Sequence, residues 1–94
     1  MRQSFDWHSP KAEANWRNHG VTFEQGAKAM GDMFAVAWVD DREDYGEERS
    51  NLLGMCDGVL LHVTYTEREE RIRIISARKA ERHERDYYFR ENSI

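Results

Sequence analysis

The stretch Asp57-Gly58-Val59-Leu60-Leu61-His62-Val63-Thr64-Tyr65-Thr66, with Glu67-Arg68-Glu69-Glu70 and Arg71-Ile72-Arg73-Ile74-Ile75 after it, decides the fold. Asp-Gly supplies the positive backbone angles of a tight hairpin turn, and the residues that follow alternate in character. Val59, Leu61, Val63 and Tyr65 fall on one face, and Leu60, His62, Thr64 and Thr66 on the other, which is the period of a strand. The Glu67–Glu70 cluster turns the chain into a second strand from Arg71 to Ile75. Ile72 and Ile74 of that strand point inward, and Arg71 and Arg73 share the opposite face.

Working outward, Arg49 to Cys56 enters the Asp57-Gly58 turn as a strand, and Phe34 to Val39 is an apolar run too short for a typical helix. Asp40 to Glu48 is a polar loop between them. Ser9-Pro10 signals a helix over residues 10–19, because Ser caps free amides and Pro suits the first turn; Gly20 ends it. Thr22 and Gln25 have the spacing of a capping box and open a second helix through Met30, closed by Gly31-Asp32. Ser76-Ala77 is expected to cap a last helix from Arg78 to about Arg90, with Ala80, Glu84, Tyr87 and Tyr88 near one stripe. Phe5 to His8 is a candidate short edge strand. The expected class is α+β, with two N-terminal helices, a four-stranded largely antiparallel sheet with room for that extra edge strand, and one C-terminal helix.

A chain of 94 residues accommodates one domain, here 1–94 with 92–94 as a frayed tail. With 39% hydrophobic and 34% charged residues it is polar, yet too rich in aromatic and β-branched residues for a disordered tail. The net charge of −4 argues against a uniformly basic nucleic-acid binder. One cysteine, Cys56, cannot close an intrachain disulfide or supply a cysteine zinc site, and it reads as a small buried hydrophobe. Met1 to Asp6 has no apolar signal region and no stretch has the length of a membrane span, so the expected location is the cytoplasm, away from membranes.

Charge is strongly partitioned. Arg71 to Arg90 holds seven bases against three acids, whereas Asp40 to Glu48 holds six acids and one arginine. Arg71 and Arg73 on a strand, with Arg78 and Lys79 in the expected first turn of a helix, form a candidate phosphate site; a solvated face paired with Glu67, Glu69 and Glu70 is the plainer reading. Four histidines, at 8, 19, 62 and 83, are the acid–base candidates, and none has metal-ligand spacing to another. Trp7, Trp16 and Trp38 suit base stacking or, more simply, core packing.

Phe5-Asp6-Trp7, Pro10-Lys11-Ala12, Asn15 and His19-Gly20-Val21-Thr22-Phe23-Glu24 resemble the opening of the BrnT family of type II toxins. Gly46-Glu47-Glu48-Arg49, Gly54, Tyr65-Thr66-Glu67-Arg68, Ile72-Arg73-Ile74-Ile75-Ser76-Ala77-Arg78-Lys79-Ala80, and Glu84-Arg85 with Tyr88 extend the resemblance over nearly the whole chain. It implies a ribonuclease toxin of RelE-like fold, neutralised by a BrnA antitoxin with a ribbon-helix-helix DNA-binding domain. It also implies a hetero-oligomer that represses its own promoter and meets DNA only through the antitoxin. Family members commonly carry Lys before His-Gly; Asn18 stands there in this chain, which lowers RNA affinity if that lysine binds phosphate.

The implied reaction is attack of a ribose 2′-hydroxyl on the adjacent phosphate, inhibiting translation and growth without metal or other cofactor. It calls for a base, an acid and cations around the crowded phosphate. Arg73 and Arg78 are assigned to transition-state charge, since a guanidinium grips phosphate oxygens in pairs and keeps its proton. Arg71 and Lys79 are assigned to flanking phosphates, with Arg82 and Arg85 as further RNA-binding residues. Glu67 and His83 are the proton-transfer candidates, with His19 in reserve. The contrasting class is a catalytically inactive module that anchors a DNA-binding partner for promoter repression.

Overall fold

A computed structural model describes residues 3–93. In chain order the elements are β1 (Ser4–Asp6), α1 (Ser9–His19), α2 (Phe23–Ala29), β2 (Val36–Asp40), β3 (Arg49–Cys56), β4 (Val59–Arg68), β5 (Arg71–Lys79) and α3 (Arg82–Glu91). The strands form one sheet in the order β1-β5-β4-β3-β2. The α+β class is as expected, but the sheet has five strands rather than four. The N-terminal segment forms the extra edge strand, and β1 runs parallel to β5, so the sheet is mixed.

Local chemistry sets most boundaries. Asp57 and Gly58 both have positive φ, 50° and 84°, and make the tight turn between β3 and β4. Glu69 and Glu70 also have positive φ and join β4 to β5. Thr22 and Gln25 form both arms of the capping box that starts α2. At α1 the cap differs from the expectation: His8 is the N-cap without a side-chain bond, Ser9 is already helical, and Gly20 ends the helix in the left-handed region.

The last helix is displaced from its expected start. Ser76-Ala77 does not cap it; β5 continues through Arg78 and Lys79, and α3 begins at Arg82 with Glu81 as N-cap. The hairpin pairing with β4 outweighs the local helix signal, because Ser76, Ala77, Arg78 and Lys79 all find partners in β4, from Thr64 to Leu61. Ile75 is the one extra residue in this ladder: Thr64 pairs with Ser76, and Tyr65 with Ile74. Such a bulge reverses the alternation beyond it. Ile72 and Ile74 therefore share the core face with Ala77, and Arg71 and Arg73 share the opposite face with Ser76 and Arg78.

One face of the sheet is covered by α1 and α2, where Val21, Phe23, Ala29, Cys56, Leu61, Val63, Ile74 and Ala77 form the main core. Gly54 lets α2 sit directly on β3, since a Cβ there would lie 2.1 Å from the Ala29 carbonyl oxygen. On the other face α3, through Tyr88, covers a smaller cluster around Leu53 and Leu60, with Val36 and Met55 packed against it. Asp32 ties this layer down: its carboxylate accepts from the Tyr88 hydroxyl at 2.5 Å and from the Met55 and Phe34 amides at 2.9 Å. Asn92 closes α3, its side-chain amide donating to the Phe34 and Tyr88 carbonyls. Ile94, the end of the expected tail, lies outside the described residues.

Buried Asn15 secures the region of the bulge. Its Nδ2 donates to the carbonyls of Ala77 and Val21 at 2.7 and 2.9 Å, and its Oδ1 accepts from the Ala77 amide at 3.1 Å. β1 pairs with β5 only from Arg71 to Arg73, so this side chain takes the place of a neighbouring strand at Ala77. Replacement of Asn15 by Leu strands these backbone groups, and about 3 kcal/mol of stability should be lost, measured by denaturant unfolding.

Candidate functional site

Because α3 covers only one end of its face, the rest of that face is polar and open. Across it, Trp38, Asn51, Thr64 and Ser76 stand in one row of paired residues, and Leu53, His62 and Arg78 in the next. Together with the start of the β2–β3 loop and of α3, all of these but Leu53 line a cleft of about 460 Å³.

Two arginines stand at this cleft, each fastened to a carboxylate. Arg78 donates from both terminal nitrogens to the two oxygens of Glu84, at 2.8 Å each. Glu84 also accepts from the Glu81 amide at 2.8 Å as the return arm of the α3 capping box. Burial alone would raise the Glu84 carboxyl; the Arg78 and Glu81 hydrogen bonds outweigh it and hold the pKa at about 2. At the other strand end, Arg42 donates through Nε and a terminal nitrogen to buried Asp40, at 2.8 Å each, and holds that carboxyl well below the usual range. Neither pairing uses all five guanidinium donors.

His62 lies buried on the floor. Burial, reinforced by the positive charges of Arg78 and Arg42, lowers its pKa below the ordinary 6.5, with the Glu84 charge opposing at 3.8 Å. The ring is therefore neutral at pH 7. Trp38 meets it edge to face at 6.0 Å. His83, exposed in the first turn of α3, lines the rim. Glu81, His83 and Glu84 bring one ligating atom each within 4.8 Å of one another, but a cation there would compete with Arg78 for Glu84.

Of the residues expected at a site, Arg78 and His83 line this cleft. Arg73 shares the Arg78 face because of the bulge, and lies 3.4 Å from Asp6 on β1, outside the cleft lining. Arg71 is exposed at the start of β5 on the same face, and Arg82 and Arg85 are exposed on α3. Three residues sit elsewhere. His19 ends α1 on the helix-covered side; Lys79 lines a hollow there with Gly20, Gln25 and Asp57; Glu67 lines another hollow with Glu47, Ser50 and Arg68. Lys79 parts from Arg78 because strand neighbours point to opposite faces, whereas a helical turn would have kept them together.

Arg42, His62 and Glu84 are cleft residues that the sequence analysis did not place there. The polar half of the β4 alternation, His62, Thr64 and Thr66, was the available signal for an uncovered face. Arg42 was masked by six acidic neighbours in the charge count.

The family described as ribonuclease toxin, BrnT, of type II toxin-antitoxin system matches residues 7–84. No curated protein matches the chain. Among the described residues no helix is long and apolar enough to cross a membrane.

The cleft charges make stability depend on acid. His62 has a folded pKa below its unfolded 6.5, so its contribution is complete above that pH and is lost as pH falls below it. Glu84, held at about 2 against an ordinary 4.5, adds a second decline below pH 4.5. Thermal melts between pH 8 and 3 should show a plateau above about pH 6.5 and a fall in two stages, the lower stage shallower in Glu84→Gln.

Proposed function

The chain belongs to the BrnT family of type II toxin-antitoxin ribonuclease toxins, and from that premise we propose that it cleaves RNA in the cleft between Arg42 and Arg78. The observation that carries this reading is a buried neutral histidine beside two guanidiniums, each held by a carboxylate and each with donors left over. Phosphoryl transfer within RNA needs this combination of cations for the phosphate and a neutral base beside it.

The scissile phosphate binds to the free N–H groups of Arg78 and Arg42. His62 takes the proton of the 2′-hydroxyl as its oxygen bonds to phosphorus. The bond from phosphorus to the 5′-oxygen breaks, and His83 donates a proton to that oxygen. The products are a 2′,3′-cyclic phosphate and a 5′-hydroxyl. Asp40 and Glu84 stay ionised and hold the guanidiniums in place, so little side-chain ordering is required when RNA arrives. Arg73 and Arg71 continue the cationic line along β5 toward flanking phosphates, with Arg82 and Arg85 on α3. Arg73, expected to carry transition-state charge, takes an RNA-binding role here instead, and transition-state charge rests on Arg78 and Arg42. Glu67, His19 and Lys79 are away from the cleft and take no part in this mechanism.

The fold of this reading is RelE-like, and the chemistry uses no metal. The neutralising partner is a BrnA-like antitoxin with a ribbon-helix-helix domain, in a hetero-oligomer that represses its own operon. The acidic Asp40–Glu48 loop suits basic residues of that partner. Such a toxin acts in the cytoplasm and stops growth by destroying RNA needed for translation.

Incubation of the protein with a defined RNA in EDTA, followed by end-group analysis, tests the reaction. Cyclic phosphate and 5′-hydroxyl ends are expected; 5′-phosphate ends, or a strict need for added metal, would overturn it. An intact RNA together with antitoxin binding would instead favour a non-catalytic anchoring module. Arg78→Ala and Arg42→Ala should each reduce kcat/KM about 100-fold, with Arg78→Lys retaining more than Arg78→Ala. The pH profile of kcat/KM should have its acid limb below 6.5, the ordinary histidine value from which His62 is lowered, and His62→Gln should remove that limb.

A further inference from the structure

A second hollow, of about 570 Å³, adjoins the cleft. Its walls are Trp38, Leu53 and Tyr87, and its rim carries His83, Asp86 and Arg90. Trp38, His83 and Glu84 line both spaces, so one nucleotide can keep its phosphate in the cleft and its base in the hollow. We propose that this hollow is a nucleobase subsite that selects guanine next to the scissile phosphate, an inference that rests on the ribonuclease reading of the cleft.

The aromatic geometry fits a flat, rigid ligand. The Trp38 and Tyr87 rings stand at 84° with centroids 6.0 Å apart, forming a corner in which a base can stack on one ring and meet the edge of the other. Trp38 is 37% exposed, a large aromatic left open in this hollow. Trp7 is spent in the core against Phe23, and Trp16 is exposed on α1 away from this hollow, so the stacking suggested for the tryptophans falls to Trp38 here. The Arg90 guanidinium lies over the Tyr87 ring, 5.7 Å from its centroid, and steadies that wall.

The charge pattern selects the base. Both oxygens of Glu84 are taken by Arg78, which leaves Asp86 as the carboxylate open to a ligand at the hollow. An ionised carboxylate only accepts hydrogen bonds, through two oxygens. Guanine presents two adjacent N–H donors, N1 and N2, on its Watson–Crick edge and satisfies both oxygens at once. Adenine, cytosine and uracil each offer that edge an acceptor beside any donor, which the carboxylate repels. The hollow also differs from the cleft in being mainly apolar, which suits a base rather than a second phosphate.

The test uses four oligonucleotides that are deoxyribose throughout except for one ribose, so that cleavage occurs at one linkage, and that differ only in the base beside it. The wild-type protein should cleave the guanine substrate at least tenfold faster than the others, judged by kcat/KM. Asp86→Asn should bring that advantage within about twofold. Trp38→Ala should slow all four substrates about tenfold, with Trp38→Phe restoring most of the rate. Equal rates for the four bases, or an advantage unchanged in Asp86→Asn, would overturn the subsite while leaving the ribonuclease reading intact. Full cleavage by Trp38→Ala with weakened antitoxin binding would overturn it too, assigning the hollow to the antitoxin. A wild-type protein that cleaves none of the four contradicts the ribonuclease reading; titration with guanosine and cytidine 3′-monophosphates, followed by tryptophan fluorescence, then decides the subsite alone. Tighter binding of the guanosine nucleotide, lost in Asp86→Asn, supports it, and equal binding overturns it.

Discussion

One extra residue in β5 sets the chemistry of the open face. Without Ile75 as a bulge, Arg78 would share the core face with Ile72 and Ile74, and the buried position of Ala77 would fall on the polar side. The strand tolerates this interruption because Asn15 supplies two hydrogen bonds to Ala77 on its unpaired edge, and a third to the Val21 carbonyl fixes the side chain there. A buried side-chain amide thus performs the work of a missing strand, and the residue after Ala77 is aimed into the cleft. The helix-covered face gains a small residue where α1 crosses, and the open face gains a guanidinium.

The cleft is electrostatically divided against itself. It contains two guanidiniums, but each is matched by a carboxylate, so the free protein does not present a bare positive patch in its interior. This agrees with a net charge of −4 in a chain whose family acts on a polyanion. The carboxylates anchor the arginines more than they cancel them: Glu84 takes one N–H from each terminal nitrogen of Arg78, whose Nη1 also donates to the Lys79 carbonyl, and Asp40 takes one edge of Arg42, which leaves donors on both guanidiniums. Burial, reinforced by the same cations, keeps His62 neutral, so the proposed base and the proposed phosphate-binding groups are adjusted by one arrangement.

Much of the architecture was legible in the sequence. The period of Val59 to Thr66, the Asp57-Gly58 turn and the Thr22–Gln25 capping box are local signals, and local structure follows them. The end of β5 was not legible, because Ser76 to Lys79 has helix-compatible chemistry and its strand state comes from pairing with β4 at long range. From that single boundary came the separation of Lys79 from Arg78. Arg78 and His83 could be picked out by charge and residue type, whereas Arg42 and His62 depend on which loop folds over which strand. The resemblance carried by Ile72 to Ala80 identified the family without indicating that the bulge lies inside that segment.

The central claim is that RNA lies on the open sheet face between Arg42 and Arg78. The most direct measurement is an NMR titration of isotopically labelled protein with a short RNA whose scissile 2′-hydroxyl is replaced by hydrogen. Side-chain and amide shifts should concentrate on Trp38, Arg42, His62, Ser76, Arg78 and His83. Shifts concentrated instead on His19, Gly20 and Lys79, across the sheet beneath the N-terminal helices, would contradict the account.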